Sequence, residues 1–186
     1  DDKFGSAVSL SGNTALVGAY GDDDKGRQSG SAYIFERDDT GNWIETAKLT
    51  TADGARDDFF GYAVSLSSST ALVGAYGDDD NGSHTGSAYI FERDEAGNWT
   101  QTGKLTAADG AQGDYFGYAV SLSGSTALVG AHFDDDNGED SGSTYIFERD
   151  EAGNWTQTRK LNVAHGAEDD KFGYAVSLSG STALVG

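Results

Sequence analysis

The sequence contains no cysteine, no methionine and no proline, and only 12 of its 186 residues are lysine or arginine. Without cysteine the chain can form no disulfide, thiolate metal site or cysteine nucleophile. Aspartate and glutamate number 31, which gives a formal charge of -19, and this excludes nucleic acids and anionic membranes as partners. No apolar stretch is long enough for insertion into a membrane, and no signal peptide is recognisable. Because an initiator methionine is lacking, we expect a processed chain or part of a longer one.

The sequence is built from a repeated unit of 56 residues. The dipeptide Phe-Gly recurs at this interval, beginning at Phe4, Phe60, Phe116 and Phe172. Residues 57–112 and 113–168 are identical at 42 of 56 positions, with no insertion or deletion. A fixed period of this length is typical of repeat architectures. The units are 1–56, 57–112, 113–168 and a partial unit at 169–186.

Each unit contains four segments with strand character, separated by turn residues. In the second unit they are residues 62–67, Thr70–Ala75, Ser87–Arg93 and Trp99–Leu105. Polarity rises from the first segment to the fourth, which predicts that the first strand is buried inside and the fourth is the exposed edge. No segment has a 3.6-residue apolar period, so no helix is predicted.

Four antiparallel strands in a unit of this size are typical of a β-propeller blade. A β-solenoid or an open β-sandwich accounts less simply for the polarity gradient. We therefore predict one all-β domain over residues 1–186, a β-propeller with about three and a half four-stranded blades. Since propellers close with four to eight blades, this ring is incomplete. The expected partners that complete it are further blades of the same protein, or a second copy through self-association.

Three recurring motifs resemble the FG-GAP repeat, which forms the blades of the integrin α-subunit propeller and of many bacterial surface proteins. They are Phe-Gly, Val-Gly-Ala at 17–19, 73–75 and 129–131, and Gly-Ser-Ala-Tyr-Ile-Phe at 30–35 and 86–91. After Val-Gly-Ala the family usually continues with proline, whereas this chain has Tyr20, Tyr76 and His132. The resemblance implies an extracellular or cell-surface protein with a non-enzymatic role in binding or adhesion, taking a protein or carbohydrate ligand on a loop face.

In integrin-type blades a calcium-binding loop rich in aspartate joins the first and second strands. Here that connection is as short as Ser11-Gly12-Asn13 and contains no carboxylate, so this calcium site cannot be carried over. A different acidic cluster recurs between the second and third strands. Its carboxylates, amide oxygens and glycine meet the chemical demands of Ca²⁺, which takes six to eight oxygen ligands. The candidate ligands are Asp22, Asp23, Asp24, Asp78, Asp79, Asp80, Asn81, Asp134, Asp135, Asp136 and Asn137.

The same loops have a second interpretation, as solvated turns or as an acidic surface adapted to high salt, because Asp, Asn and Gly are good turn residues. Strand alternation brings the 2–3 and 4–1 connections to one rim of an antiparallel blade. The 4–1 loops also carry aspartates, so one face should concentrate the negative charge. These further residues are Asp53, Asp57, Asp58, Asp109, Asp114, Asp169 and Asp170.

Catalytic residues are not predicted. The three histidines, His84, His132 and His165, fall at different positions of the unit, and Ser65, Ser121 and Ser177 have no adjacent His-Asp pair. The recurring tryptophans at the start of the fourth strand are expected to pack in the core. The rival hypotheses are a propeller hydrolase or lyase that uses carboxylates and a metal, and a purely structural repeat. Nearly identical blades favour a repetitive binding surface over a single catalytic centre.

Overall fold

The computed structural model describes all 186 residues and is all-β, with three four-stranded antiparallel sheets followed by a two-stranded sheet. The first sheet contains β1 (Val8–Ser11), β2 (Thr14–Ala19), β3 (Ser31–Arg37) and β4 (Trp43–Leu49). The second contains β5 (Ala63–Ser67), β6 (Thr70–Ala75), β7 (Ser87–Arg93) and β8 (Trp99–Leu105). The third contains β9 (Ala119–Ser123), β10 (Thr126–Ala131), β11 (Ser143–Arg149) and β12 (Trp155–Leu161), and the fourth contains β13 (Val176–Ser179) and β14 (Thr182–Val185). No helix long and apolar enough to cross a membrane is present.

The spatial order of the strands follows their order in the chain, as the polarity gradient predicts. The first strands β1, β5, β9 and β13 contact one another in series, so they form the inner side of the array. The fourth strands are the outer edges, and β4 is exposed along most of its length. This arrangement is an incomplete β-propeller in which each 56-residue unit supplies one blade.

The hydrophobic core lies between consecutive sheets rather than within one. One buried cluster joins Leu16 and Ile34 of the first sheet to Phe60, Leu66 and other residues of the second. An equivalent cluster joins the second sheet to the third. The phenylalanine of the Phe-Gly motif is fully enclosed in both clusters, since Phe60 is 1% exposed. Each blade therefore buries its apolar side chains against its neighbours, as expected for a repeat protein.

The two glycine motifs meet at these contacts. A Cβ atom built on Gly74, in the Val-Gly-Ala motif, would lie 2.0 Å from the carbonyl oxygen of Gly117, in the Phe-Gly motif of the next unit. Gly18 faces Gly61 and Gly130 faces Gly173 in the same way. The motifs that define the repeat are thus explained by close backbone approach between blades, which only glycine permits.

Serines on the inner strands join the blades through hydrogen bonds. The Oγ atom of Ser65 on β5 accepts from the backbone N–H of Leu122 on β9, at 2.9 Å, and Ser121 accepts from Leu178 in the same way. Trp99 and Trp155 pack against the core clusters, as the sequence predicts. Trp43, the equivalent residue of the first sheet, is 46% exposed.

Candidate functional site: an acidic rim and an aromatic belt

The 2–3 loop of each blade lies against the 4–1 connection that leads into the next blade. Backbone bridges join Gly30 to Phe60 and Gly86 to Phe116. The two kinds of acidic loop therefore share one rim, as strand alternation predicts. The carboxylates of Asp53, Asp78 and Asp80, from both kinds of loop, lie within 4.8 Å of one another.

A lysine ammonium group occupies the centre of this cluster. The Nζ atom of Lys104, on β8, lies 2.9 Å from Asp53, 3.0 Å from Asp78 and 2.5 Å from Asp80. The hydroxyl of Tyr89 donates to the same Asp78 carboxylate at 2.6 Å. In the third blade Lys160 binds Asp109, Asp134 and Asp136 in the same way, whereas Lys48 in the first blade binds only Asp22 and Asp24. These lysines were not among the predicted site residues, although they recur at the 56-residue interval.

A β-bulge positions each lysine. The register between the third and fourth strands shifts at the same point in all three blades, between Ile90 and Phe91 in the second. Beyond the shift, Tyr89 lies opposite Lys104, with Nζ 5.1 Å from the centre of the tyrosine ring. At the bulge β8 contains one residue more than the paired stretch of β7. This extra residue changes which side chains of β8 lie on the same face as those of β7. The bulge therefore brings the ammonium group to the acidic loop.

The candidate calcium ligands divide into two groups. The first aspartate of each triplet is buried, with exposures of 5%, 3% and 2% for Asp22, Asp78 and Asp134. The first and third aspartates of each triplet bind the lysine. The second aspartate turns away and accepts from a backbone N–H of its own loop, as Asp79 does from His84. In the third unit Asn137 donates from its amide to the carbonyl oxygen of Val163, outside the carboxylate cluster.

The aspartate cluster could hold a metal ion, but a divalent ion would compete with the lysine for the same oxygens. Burial alone would lower the pKa of Lys104, yet hydrogen bonds to Asp80, Asp53 and Asp78 outweigh that effect and raise it. The ammonium group therefore stays charged at neutral pH. Its single positive charge offsets part of the repulsion among the three carboxylates. The connection between the first and second strands offers no carboxylate for an ion.

Two buried aspartates of the 4–1 loops lack a cation of their own. Asp58 and Asp114 are 5% and 4% exposed, and each accepts from a nearby backbone N–H. Burial raises the pKa of each carboxyl to about 6, although that hydrogen bond opposes the shift. Each carboxyl therefore binds its proton more tightly in the folded than in the unfolded chain.

The pH dependence of stability follows from this difference. An acid with a raised folded pKa contributes stability that is complete below about pH 4, its unfolded value. That contribution is lost as the pH rises through the folded value of about 6. We expect Asp114→Asn, which keeps the acceptor oxygen, to flatten the fall in unfolding free energy between about pH 4 and 6, measured in urea. Asp170→Asn is the matched control, because Asp170 has the same loop position but is exposed. Equal flattening in both variants would contradict the assignment.

Aromatic side chains form a second feature of the same rim. Tyr62 and Tyr118 immediately precede the first strands of their blades, and Tyr76 follows a second strand. Ring centres are 4.6 Å apart for Tyr62 and Tyr76, and 4.9 Å apart for Tyr62 and Tyr118. We call this set the aromatic belt, and it crosses all four sheets. Its members are Tyr20, Phe59, Tyr62, Tyr76, Tyr115, Tyr118, His132, Phe133 and Tyr174.

Hydrogen bonds join three tyrosine hydroxyl groups along the belt. The hydroxyl of Tyr62 donates to that of Tyr118 at 2.9 Å, and Tyr118 donates to Tyr174 at 3.2 Å. His132 is 3% exposed, and its Nδ1 atom has no hydrogen-bond partner. Burial lowers the pKa of His132 to about 4, so the belt is uncharged at neutral pH. In the sequence, the signals of the belt are the tyrosine that follows each of the last three Phe-Gly pairs and the aromatic residues where the family usually has proline.

The geometry around Ser83 does not support a serine nucleophile. Ser83 Oγ lies 2.9 Å from Nδ1 of the adjacent His84, and Asp79 lies 3.9 Å from the same nitrogen. A catalytic triad needs the serine and the carboxylate on opposite ring nitrogens, so these three residues do not form one. The arrangement also occurs in only one blade.

Comparisons with known proteins agree with this architecture. The FG-GAP repeat matches residues 1–35, 43–91, 99–147 and 155–186. Each internal match begins at a fourth strand and ends at the third strand of the next blade, so it spans the contact between two sheets. A search of curated proteins found no match.

Among solved structures, the chain is similar to the periplasmic gluconolactonase PpgL of Pseudomonas aeruginosa, with a TM-score of 0.53 and 18% sequence identity. The similarity covers 84% of this chain and 39% of that one, and at this identity it concerns the fold alone. The family matches, in contrast, follow the repeat through nearly all of the sequence. The chain belongs to the FG-GAP repeat family.

Proposed function

We propose that the protein is a non-enzymatic β-propeller scaffold that binds a ligand on the face formed by the acidic rim and the aromatic belt. The observation that carries the proposal is the belt itself. Aromatic side chains that are only partly buried run across the contacts between all four sheets. Aromatic rings supply a large contact area at low entropic cost and are typical of binding surfaces. The FG-GAP family supports an extracellular or cell-surface location.

The charge of this face favours a protein ligand that presents lysine or arginine side chains. The acidic loops lie on the same rim as the belt, and the whole chain carries a charge of -19, so a basic ligand is attracted at long range. At contact, the faces of tyrosine rings attract cations, which adds to the attraction of the carboxylates. A carbohydrate, which would stack on the same rings and bond to their hydroxyls, is the second candidate.

A pair of arrays, one of basic and neutral peptides and one of glycans, tests this proposal. Binding of basic peptides that weakens with added salt is the expected result. In the first unit Ser6 takes the place that Tyr118 has in the third. The variant Tyr118→Ser therefore copies a residue the fold already accepts, and it should bind about tenfold less tightly or worse. Trp43→Ala, a partly exposed aromatic residue near the other rim, should bind as the wild type does.

Three results would count against the proposal as stated. Glycans alone binding, with the same loss in Tyr118→Ser, would favour the carbohydrate ligand. Equal binding by Tyr118→Ser and the wild type would place the ligand away from the belt. No binding on either array would leave the structural-repeat hypothesis as the better account.

Calcium at the Asp loops stays a prediction within this proposal. The converging oxygens of Asp53, Asp78 and Asp80 support it, and the ammonium group of Lys104 opposes it. Calcium stabilisation would be seen as a thermal unfolding midpoint that rises with Ca²⁺ after EDTA treatment, without an equal response to Mg²⁺ or Na⁺.

A further inference from the structure

Two tyrosine side chains from consecutive blades meet at their hydroxyl ends. Tyr62 immediately precedes β5 and Tyr118 immediately precedes β9, the inner strands of the second and third blades. Their hydroxyl oxygens are 2.9 Å apart and their ring centres 4.9 Å apart, with an angle of 43° between the ring planes. The Cε atoms, which flank the hydroxyl-bearing carbon of each ring, therefore lie on the side where the two rings meet.

The backbone holds this pair in place, while the rings stay within reach of solvent. The backbone N–H of Tyr62 donates to the carbonyl oxygen of Phe59 at 3.1 Å, and that of Tyr118 donates to Tyr115 at 3.2 Å. Both tyrosines are only partly buried, and both belong to complete blades. A small solute can therefore reach two phenol groups that the fold has already brought together.

The tyrosines of the third strands are not paired in this way. Tyr89 is completely buried, its hydroxyl donates to Asp78, and its ring lies 5.6 Å from that of Phe60. Its equivalent in the third blade, Tyr145, likewise contacts an aspartate and a phenylalanine. Contact between two phenol groups is thus a property of the aromatic belt and not of tyrosine in general in this fold.

The composition of the chain directs oxidation to these rings. It contains no cysteine and no methionine, the two side chains whose sulfur atoms are oxidised most readily. The three tryptophans begin the outer strands β4, β8 and β12, away from the inner strands that carry the pair. Within the belt, a phenol loses an electron more readily than the phenyl or imidazole rings around it.

We propose that Tyr62 and Tyr118 form a site of oxidative modification, at which a diffusible one-electron oxidant couples the two rings into a dityrosine cross-link between blades. The link joins residues that are 56 positions apart in the sequence and in contact in the fold. It closes a long loop of the unfolded chain, so it stabilises the contact between the second and third blades. The chain has no cysteine for a disulfide, and dityrosine supplies a covalent link of another kind.

The coupling step removes two electrons and two protons in all. Each phenol gives one electron to the oxidant and its hydroxyl proton to water, which leaves a radical with spin density on the Cε atoms. A carbon–carbon bond then forms between one Cε atom of each ring. The C–H bonds at these two carbons break, and their protons move to the oxygens as both rings become aromatic again. The product keeps both hydroxyl groups and is lighter by two hydrogen atoms.

Photo-oxidation of the chain by ruthenium tris-bipyridyl with persulfate tests the proposal. Persulfate takes both electrons and becomes two sulfate ions. At low micromolar concentration the wild type should give a product that has the size of one chain on a denaturing gel, shows dityrosine fluorescence and has lost two hydrogen atoms. Mass spectrometry after proteolysis should find Tyr62 and Tyr118 in the main cross-linked peptide.

Two phenylalanine variants locate the site, since each keeps its ring and loses only a hydroxyl group. Tyr118→Phe should lose the cross-link to Tyr62 and most of the fluorescence, because the hydroxyl of Tyr118 also contacts that of Tyr174, at 3.2 Å. Tyr76→Phe is the matched control. The ring of Tyr76 lies 4.6 Å from that of Tyr62, but the Tyr62 hydroxyl bonds to Tyr118 instead. This variant should react as the wild type does.

Three results would overturn the proposal. The first is a wild type that gains oxygen atoms but yields no peptide joining Tyr62 to Tyr118. The second is a main product that consists of two chains, which would show coupling between different molecules. The third is an equal loss in Tyr76→Phe and Tyr118→Phe, which would mean that the paired hydroxyl groups do not select the site. None of these outcomes depends on a ligand at the aromatic belt, so they leave the proposed function untouched.

Discussion

Replacing Lys104 with methionine is expected to lower the free energy of unfolding by about 3 kcal/mol, because removing one partner of a buried ion pair leaves the other charge uncompensated. Asp78, which is 3% exposed, would keep only the hydrogen bonds from Tyr89 and from the Asp80 N–H. Asp53 and Asp80 would repel it at short range. Urea unfolding at neutral pH measures the loss.

Lys25→Met is the matched control, because it removes the same charge from an exposed loop position. It should change the unfolding free energy by less than about 0.5 kcal/mol. If the two variants lose the same amount, general charge rather than the Lys104 cluster is responsible.

The same variant separates the two interpretations of the Asp loops. In Lys104→Met the three carboxylates are open to an external cation, so Ca²⁺ should raise its unfolding midpoint by more than it raises that of the wild type. An equal response in both proteins would mean that calcium binds without displacing the ammonium group. No response in the variant would make the cluster a purely internal ion pair.

Replacing Gly74 with alanine is expected to cost about 3 kcal/mol of unfolding free energy, at the upper end of the range for an overpacked core position. The new methyl group would lie 2.0 Å from the Gly117 carbonyl oxygen, and backbone atoms cannot turn aside as a side chain can. The second and third sheets would have to separate. Chemical denaturation measures the change.

The same substitution at Gly103 is expected to stabilise the fold rather than destabilise it. The nearest atoms to a Cβ at Gly103 are those of Ile90, at 3.6 Å, which is an ordinary contact. Ala47 has this position in the first blade. We expect Gly103→Ala to stabilise the fold by about 0.5–1 kcal/mol, as alanine does relative to glycine in a strand. Destabilisation by both variants would show that the blades tolerate no added methyl group at either position. The close contact with Gly117 would then not explain the loss in Gly74→Ala.

Most of the fold could be predicted from the residues because its signals are local. In the second blade, three of the four predicted strands have the observed bounds, and the first begins one residue later, at Ala63. Alternation of large and small side chains, turn residues and the polarity gradient each act within a few neighbouring positions. The shared rim of the acidic loops followed from strand direction alone.

The candidate site was predicted only in part. The acidic triplets were visible, but the cation at their centre comes from a lysine 24 to 26 residues further along the chain. A carboxylate 51 residues before it, Asp53, completes the cluster. The aromatic belt joins residues 56 positions apart, such as Tyr62 and Tyr118. No local pattern specifies which of these side chains come into contact.

The sequence by itself determined the repeat, the four strands of each blade and the family, because duplication and period-2 patterning are properties of the chain. The tertiary structure alone decided that a β-bulge turns Lys104 towards Asp78, and that tyrosines of successive units meet in one belt. Both depend on the register between strands and on the packing of one sheet against the next. A shift of one residue in that register moves a side chain to the opposite face.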